Sequence, residues 1–313
     1  MVSAISSLLL NDCALFASSV LRAPPKGDPF IIADHHIAWS RAMKASPQTL
    51  FEASRSSGKT VFVAYAYPIW RAAARPGERT AIFCASDKRA RKRIREIRRE
   101  IETNPKLKFL LPASDQRGEA WSTELLRCRN GSEIEAIGFG SRARGEHPHA
   151  IVLDDVINDD SLYSALVREK SIEYTLSAIM PMLEPGGEFR IIGTPIHEED
   201  LIANFRKDPT FKALQFPAEW EENGAKKYLW PGRLTPKYLA NKMKSLGSLR
   251  YAREYLCQPV SDAASMFPSR YFDRAFTGYE LGLPGPWWRE NRGIETIVIA
   301  NDFAISKSIK ADT

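Results

Sequence analysis

The chain has few cysteines, and they form no pattern. Its 313 residues include 4 cysteines that lie far apart without a C-x-x-C pair: Cys13, Cys84, Cys128 and Cys257. This spacing excludes a paired-cysteine zinc site and a dense disulfide framework. Internal repeats and low-complexity segments are also missing, which excludes repeat arrays and compositionally biased chains. We therefore expect a reducing compartment such as the cytoplasm.

Long hydrophobic runs are missing as well. The apolar stretch Ala4 to Val20 is interrupted by Asn11 and Asp12 and lacks a basic flank, so it is too short and too polar to span a bilayer. We interpret it as an amphipathic packing helix and expect no membrane partner. Hydrophobic residues make up 44% of the chain, which is normal for a packed core, and the length allows roughly two domains.

Positive charge exceeds negative charge, with a formal net charge of +6 and a pI near 9.1. Such a balance is a weak indicator of a polyanionic partner, so the distribution of charge matters more. From Lys88 to Arg99 there are eight basic residues and one acid, Glu96. The same segment carries an apolar stripe, which predicts a helix with one face on the core. The stripe is formed by Ala90, Ile94, Ile97 and Ile101. The opposite face either follows a nucleic-acid backbone or is simply solvated.

Residues 52–60 read EASRSSGKT and resemble a phosphate-binding loop. Gly58-Lys59-Thr60 ends the G-x-x-x-x-G-K-[ST] pattern, while Ala53 stands where the first glycine is expected. A strand ending at Phe51 and an apolar helix over Val61 to Ala74 give the required strand–loop–helix context, because a helix N-terminus attracts anions. The alternative is a plain turn. The predicted phosphate ligands are Ser54, Arg55, Ser56, Ser57, Gly58, Lys59 and Thr60.

The segment before this loop, Ile31 to Met43, has apolar residues at helical spacing. The spacing predicts a helix that leads into the loop. His36 or its neighbours are candidate contacts for a base ring, and the alternative is a packing helix with a polar edge.

A second motif is the apolar strand Ala150 to Asp155, which ends in two carboxylates. After a phosphate loop, this is a Walker B pattern: Asp154 would hold the water shell of Mg²⁺, and Asp155 would orient or deprotonate the attacking water. The next acids, Asp159 and Asp160, are better explained as helix caps than as a second metal site.

Two further segments carry candidate residues. The strand over Glu188 to Pro195 ends in Gly-Thr-Pro, where the hydroxyl of Thr194 could sense the γ-phosphate or merely mark a turn. A predicted hairpin around Asn130-Gly131 runs into a Gly/Arg loop, in which Arg142 or Arg144 could contact ATP held by this chain or by a neighbour. The alternative for these arginines is a basic surface turn.

Alternating strands and helices over residues 45–220 predict an α/β fold with a mainly parallel sheet covered on both faces. In such folds the ligand lies at the carboxyl ends of the strands.

In order and spacing, these motifs resemble the large terminase subunit of tailed bacteriophages. The resemblance rests on the arginine-containing loop, the Arg144-Gly145 pair, the Walker B strand, Gly193-Thr194-Pro195 and the segment from Tyr228 to Pro259. It implies an ASCE/RecA-like P-loop NTPase over residues 1–220, a linker or lid subdomain over 221–265, and the beginning of an RNase H-like nuclease domain over 266–313.

The resemblance also implies roles for the site residues. Lys59 and Thr60 bind the phosphates of ATP and Mg²⁺, Arg55 acts near the γ-phosphate, and Arg144 is the finger supplied to a neighbouring subunit. Asp154 is the Mg²⁺-associated acid. Asp155 takes the place of the family's usual catalytic glutamate as the base and is one methylene shorter.

The last strand-like segment, Glu295 to Ala304, resembles the first strand of the nuclease domain. There Asp302 would ligate a catalytic Mg²⁺ or Mn²⁺, with Asp312 as a weaker candidate. Two-metal cleavage needs several carboxylates from distant strands, and the sequence ends at Thr313. We therefore expect the nuclease to be incomplete in this chain.

The expected function is ATP-driven translocation of double-stranded DNA into a viral prohead, in the host cytoplasm. By resemblance, the partners are DNA, a portal protein, a small terminase subunit and further copies of the chain in a ring on the portal. The alternatives are a helicase-like ATPase, which should carry a second motor domain, a P-loop kinase with a small-molecule acceptor, and a non-enzymatic nucleotide-binding module.

Overall fold

The computed structural model describes residues 6–118, 121–141, 147–157, 161 and 164–259. The described residues belong to one compact unit, which spans Met1–Ser261. Among them, no helix is long and apolar enough to cross a membrane.

The described strands are β1 (Arg22–Ala23), β2 (Asp28–Pro29), β3 (Gln48–Ala53), β4 (Arg79–Cys84), β5 (Leu125–Arg127), β6 (Glu133–Gly138), β7 (Ala150–Asp154), β8 (Glu188–Gly193), β9 (Lys212–Phe216), β10 (Glu219–Glu222) and β11 (Ala225–Tyr228). The described α-helices are α1 (Ser7–Leu10), α2 (Cys13–Val20), α3 (Asp34–Ala45), α4 (Lys59–Val61), α5 (Tyr67–Ala74), α6 (Asp87–Thr103), α7 (Ala165–Tyr174), α8 (Leu201–Arg206), α9 (Pro236–Leu246) and α10 (Ser248–Leu256).

The central sheet has seven strands in the order β5-β6-β4-β7-β8-β3-β9. All neighbours pair in parallel except β5 and β6, which form the antiparallel hairpin expected around Asn130-Gly131. This arrangement confirms the predicted mainly parallel sheet. Its register places Asp154 level with Ile192 and Gly193 level with Glu52. The carboxyl ends of β7, β8 and β3 therefore meet at one edge of the sheet.

Hydrophobic side chains cover both faces of this sheet. On one face, Phe16, Trp39, Ile69 and Ile94 belong to a cluster that buries α2, α3, α5 and α6 against the strands. On the other face, the cluster includes Ile179, Leu201 and Phe205 with the opposite side chains of β7 and β8. Alternate residues of a strand point to opposite faces, so apolar strands such as Ile151–Val152–Leu153 contribute to both clusters.

The helix after the phosphate loop follows the predicted range but is not a regular α-helix throughout. A π-helical turn over Phe62–Ala66 separates α4 from α5. Pro68 lies just beyond it in α5, and proline has no N–H to donate to the preceding turn. The regular α-helical hydrogen-bond ladder is therefore interrupted at this point.

The N-terminal segment differs from the prediction of one packing helix. It forms two short helices: the first ends at Leu10 with Asn11 as its C-cap, and Asp12 caps the second, because its Oδ1 accepts hydrogen bonds from the N–H of Ala14 at 2.8 Å and of Leu15 at 3.0 Å. The polar residues that argued against a membrane span also break the helix.

The basic helix agrees closely with its prediction. It runs over Asp87–Thr103, Ser86 caps it through a hydrogen bond from the N–H of Arg89, and Asn104 ends it. The predicted apolar stripe is buried in the core.

Residues from Phe216 to Leu256 form a separate hydrophobic cluster around the β10–β11 hairpin and helices α9 and α10, including Leu229, Leu234, Tyr251 and Tyr255. The boundary at residue 220 between the ATPase domain and a linker subdomain stays a prediction. The predicted nuclease segment over residues 266–313 lies outside the described residues.

Candidate nucleotide site at the ends of three strands

The phosphate loop joins the end of β3 to the start of α4. Gly58 has a φ of +83°, and a Cβ atom built there would lie 2.9 Å from His36 Nε2 and 3.2 Å from Trp230 Cζ3. Glycine is therefore required at this position both for its backbone conformation and for space. Ser56 also has a positive φ, of 65°, so the loop turns sharply before the helix.

Lys59 connects the loop to the two other predicted motifs. Its Nζ lies 3.3 Å from the carbonyl oxygen of Ala53 and 3.5 Å from Asp155 Oδ1, and it donates a hydrogen bond to Thr194 Oγ1. Thr194 in turn donates to the Ala53 carbonyl at 3.0 Å. The structure thus brings together candidate residues from the ends of β3, β7 and β8, which are far apart in the sequence.

The two Walker B acids have different surroundings. The side chain of Asp154 is 6% exposed, and burial raises the pKa of its carboxyl group against the opposing effects of Arg93, Thr60 and Lys59. Asp155 follows the strand with a φ of +51°, a conformation that aspartate tolerates better than most residues. The side chain of Asp155 is 38% exposed, and its Oδ1 accepts a 3.4 Å hydrogen bond from the N–H of Thr194.

Several buried polar atoms at this edge of the sheet have no hydrogen-bond partner within the described part of the chain: Ser54 Oγ, Ser57 Oγ and Asp154 Oδ1. Buried polar atoms in folded proteins are nearly always paired, so such a group needs an explanation. The two hydroxyls belong to a loop that leads into a helix N-terminus, whose first N–H groups lack partners within the helix, and the carboxylate oxygen is an acceptor beside Thr60. These donors and acceptors fit phosphate oxygens together with Mg²⁺.

The protein side chains do not form a complete metal site by themselves. Within the described part of the chain, no group of three or more His, Cys, Asp or Glu residues could hold a metal ion. Mg²⁺ normally keeps several waters and takes phosphate oxygens as ligands. Asp154 and Thr60 are the candidate protein ligands for such a site.

Two histidines hold the phosphate loop from α3. The carbonyl oxygen of Ser57 lies 2.8 Å from His35 Nε2 and 3.1 Å from His36 Nε2. His36 Nδ1 accepts from the N–H of Ala33 at 3.0 Å, so Nε2 carries the proton and donates to Ser57. Burial lowers the pKa of His36 to about 3 and also lowers that of His35, which keeps both rings neutral near pH 7.

The arrangement of His36 matches the packing-helix alternative for this segment. Its ring is 1% exposed, stacks on Phe62 and contacts the edge of Trp230. Both of its nitrogens are engaged within the chain. From the sequence, His35 was included only as a neighbour of His36, and its contact with Ser57 was not predicted. The available signal was its position beside His36 in a helix that leads directly into the loop.

Arg55 points in a different direction from Lys59. The guanidinium of Arg55 pairs with the carboxylate of Glu254 in α10, and the backbone N–H of Arg55 donates to the backbone carbonyl of Glu254 at 2.8 Å. The adjacent Ser56 Oγ lies 3.3 Å from the hydroxyl of Tyr238 in α9. The phosphate loop is therefore attached to both helices of the C-terminal cluster, which the sequence motifs did not indicate.

Another unpredicted member of the site is Arg93 of the basic helix, whose Nη2 lies 3.5 Å from Asp154 Oδ2. Several predicted residues lie outside the described part of the chain: Arg142, Arg144, Asp159, Asp160, Asp302 and Asp312.

The family model described as "Terminase large subunit, T4likevirus-type, N-terminal" matches residues 50–274. The chain belongs to this family. The match confirms the resemblance to large terminase subunits that the sequence motifs indicated. No curated protein sequence matches the chain.

Solved structures of other terminases share the fold of this terminase large subunit. The large terminase of bacteriophage HK97 is 15% identical, with a TM-score of 0.56, and the match covers 80% of this chain and 55% of that one. The large terminase ATPase domain of Thermus phage P74-26 is 17% identical, with a TM-score of 0.54, and the match covers 74% of this chain and 95% of that domain. The matched region thus spans about half the length of the HK97 protein.

Proposed function

We propose that this terminase large subunit binds and hydrolyses ATP at the site around Lys59, and that hydrolysis drives double-stranded DNA into a viral prohead. The observation that carries the proposal is the contact of Lys59 with both Thr194 and Asp155. Three motifs predicted for one reaction converge on a single ammonium group. A plain turn before a helix would give no reason for this convergence.

Each residue has a role that follows from its chemistry. The helix-initial N–H groups and Lys59 bind the outer phosphates, and the unpartnered hydroxyls of Ser54 and Ser57 are free to donate to them. Thr60 and Asp154 would hold Mg²⁺, which neutralises charge on the phosphates when it is bound. Thr194 links β8 to Lys59, so a nucleotide bound at the phosphate loop would change the contact between Thr194 and Lys59.

Asp155 is the proposed general base or water-orienting residue. Its carboxylate is the more exposed of the two Walker B acids, and it lies beside Lys59 instead of being buried under α6. An acceptor in this position can hold a water molecule next to the outermost phosphate. Arg55 would approach the γ-phosphate only after leaving Glu254, and Arg144 is proposed as the finger for a neighbouring subunit's site.

The exposed face of α6 is the proposed contact surface for the DNA backbone. Among the described residues, Arg95 and Arg99 make no ion pair. Together with Arg22, Lys26 and Lys92, they line a cavity of about 380 Å³ beside the β1–β2 hairpin, which the carboxylates of Glu96 and Glu100 also line. Free arginines next to lysines suit phosphodiester groups. The portal protein, the small terminase subunit and a ring of further copies are proposed partners, in the host cytoplasm.

DNA cleavage by a C-terminal nuclease domain is a proposal for the whole protein only. Asp302, with Mg²⁺ or Mn²⁺, would belong to that domain.

The deciding experiment is steady-state ATPase turnover with and without double-stranded DNA across a salt series, for the wild type and for Lys59→Ala. We expect DNA to stimulate turnover at low salt and the stimulation to fall as salt rises, because phosphate contacts release counterions. Lys59→Ala should remove turnover under all conditions. An ATP hydrolysis rate that does not depend on DNA would contradict the proposed DNA-translocating function and favour a kinase-like enzyme.

A further inference from the structure

The side chain of Arg93 is largely buried, whereas most of the other basic residues of α6 are exposed. Its side chain is 11% exposed, whereas Arg91 and Lys92 beside it are 52% and 69% exposed. A guanidinium is buried only when acidic or carbonyl groups receive its hydrogen bonds. Arg93 Nη1 donates to Glu96 Oε2 at 2.6 Å, and Nη2 lies 3.5 Å from Asp154 Oδ2.

The single acid of the basic segment has a defined place in this arrangement. Glu96 is one helical turn after Arg93, and its side chain is 16% exposed. Residues three apart on a helix lie on the same face, so Glu96 holds one end of the guanidinium while the other end faces Asp154. The direction of the Arg93 side chain is therefore set from within α6.

The Asp154 carboxylate is asymmetric as a result. Oδ2 faces Arg93, while Oδ1 is buried and has no hydrogen-bond partner among the described residues. The free oxygen belongs to the carboxylate next to Thr60, at the start of the helix that follows the phosphate loop. A carboxylate that is held on one oxygen cannot rotate freely, and the other oxygen keeps a fixed direction.

We propose that Arg93 is a positioning residue that holds Asp154 by one carboxylate oxygen and leaves the other available to the magnesium ion of a bound nucleotide. The proposal rests on the proposed function, because it assigns Asp154 to Mg²⁺. Arg93 does not touch the nucleotide or the cation. It acts as the outer partner that orients a metal ligand, and it supplies a countercharge for a buried carboxylate.

The consequence is a specific change in the contribution of magnesium to nucleotide binding. ADP affinity would be measured calorimetrically on the full chain, once with Mg²⁺ and once with EDTA, and the ratio of the two dissociation constants compared between variants. Removal of an outer partner typically weakens metal binding about 10- to 100-fold. For Arg93→Gln we expect the magnesium-dependent gain in affinity to fall about tenfold, while ADP affinity in EDTA stays unchanged.

The matched control is Arg95→Gln, which removes the same charge from the exposed face of the same helix; the assay contains no DNA, so the proposed DNA contact of Arg95 does not affect the ratio. It should leave the ratio as in the wild type. Arg93→Lys keeps the charge but cannot contact Glu96 and Asp154 with two separate nitrogens, so it should give an intermediate ratio. Thermal unfolding would establish that each variant is folded. If Arg93→Gln fails to fold, Glu96→Gln loosens the same arginine and should lower the ratio in the same direction.

Two results would overturn the positioning role: a wild-type ratio in folded Arg93→Gln, or an equal loss in Arg95→Gln, which would indicate a general effect of helix charge. Failure of the proposed function would look different. In that case the wild type itself would bind ADP without any dependence on magnesium, or would not bind it.

Discussion

Lys59 Nζ lies 3.5 Å from Asp155 Oδ1, although the two residues are almost a hundred positions apart in the sequence. The ammonium group is buried and the carboxylate is partly exposed. Both are positioned by the ends of parallel strands that do not touch each other, because β8 lies between β3 and β7. Thr194 at the end of β8 bridges this gap, because it contacts both Lys59 and Asp155.

Asp155→Asn should keep nucleotide binding and remove turnover. The amide has nearly the same shape but cannot accept a proton from water, and general-base catalysis is typically worth about 10²- to 10⁴-fold. We expect the ATPase rate to fall at least about a hundredfold while ADP affinity changes little. A steady-state rate near that of the wild type would remove Asp155 from the mechanism.

Gly58→Ala should weaken both the fold and the nucleotide site. The position has a φ of +83°, and the new Cβ would lie 2.9 Å from His36 Nε2. The control is Gly77→Ala, where φ is +80° and nothing lies within 4 Å of the added carbon. Both variants carry the backbone penalty of about 1–2 kcal/mol, measurable by denaturant unfolding. Only Gly58→Ala should also lose nucleotide affinity, and equal affinities would contradict the proposed clash.

The stability of the protein should fall on mild acidification partly because of His36. Its folded-state pKa is lowered to about 3 by burial, so below its unfolded pKa of about 6.5 the unfolded chain binds a proton that the folded chain does not. Protonation of His36 in the unfolded chain therefore reduces the free energy of unfolding as pH falls, by about 1.4 kcal/mol per pH unit at most.

His36→Gln tests the contribution of His36 to the pH dependence of stability, because glutamine keeps an N–H donor for the Ser57 carbonyl but does not titrate. Urea unfolding of both proteins at several pH values between 7 and 5 should give a shallower pH dependence for the variant. Glu52 and Asp154, whose pKa values burial raises, contribute with the opposite sign in both proteins and cancel in the comparison. Parallel curves would show that His36 is not responsible.

Glu254→Gln should strengthen nucleotide binding. In the structure Glu254 holds Arg55, which is 63% exposed at its side chain, and a bound γ-phosphate would have to compete for the same guanidinium. Partly exposed ion pairs contribute about 1 kcal/mol or less, so the gain in ATP affinity should be at most about fivefold.

The same substitution in an Arg55→Ala background provides the check. Without the arginine there is no competition, so Glu254→Gln should then leave ATP affinity unchanged. A similar effect in both backgrounds would mean that Glu254 acts on the loop through its backbone contact or through α10, and not through Arg55.

Much of the fold followed from patterns that act locally. The apolar runs of β3, β4, β7 and β8, the stripe on α6 and the Asn130-Gly131 turn each depend on residues close in sequence. The N-terminal segment shows the limit of such reasoning. Its apolar character predicted a packing helix, but the Asp12 side chain hydrogen-bonds to the N–H groups that follow it and divides the segment into two helices.

The sequence by itself determined which residues are available for the chemistry: a glycine, lysine and threonine at fixed spacing, paired acids after an apolar strand, and a threonine at the end of another. It could not determine their surroundings. That His35 and His36 hold Ser57, that Glu254 holds Arg55 and that Arg93 holds Asp154 depends on segments up to 199 positions apart meeting at one edge of the sheet. These partners lie on helices, so tertiary packing of the helices brings the side chains together, and the same packing excludes the water that would otherwise compete with them. For this reason the motifs could be read from the chain, whereas their partners required the tertiary structure.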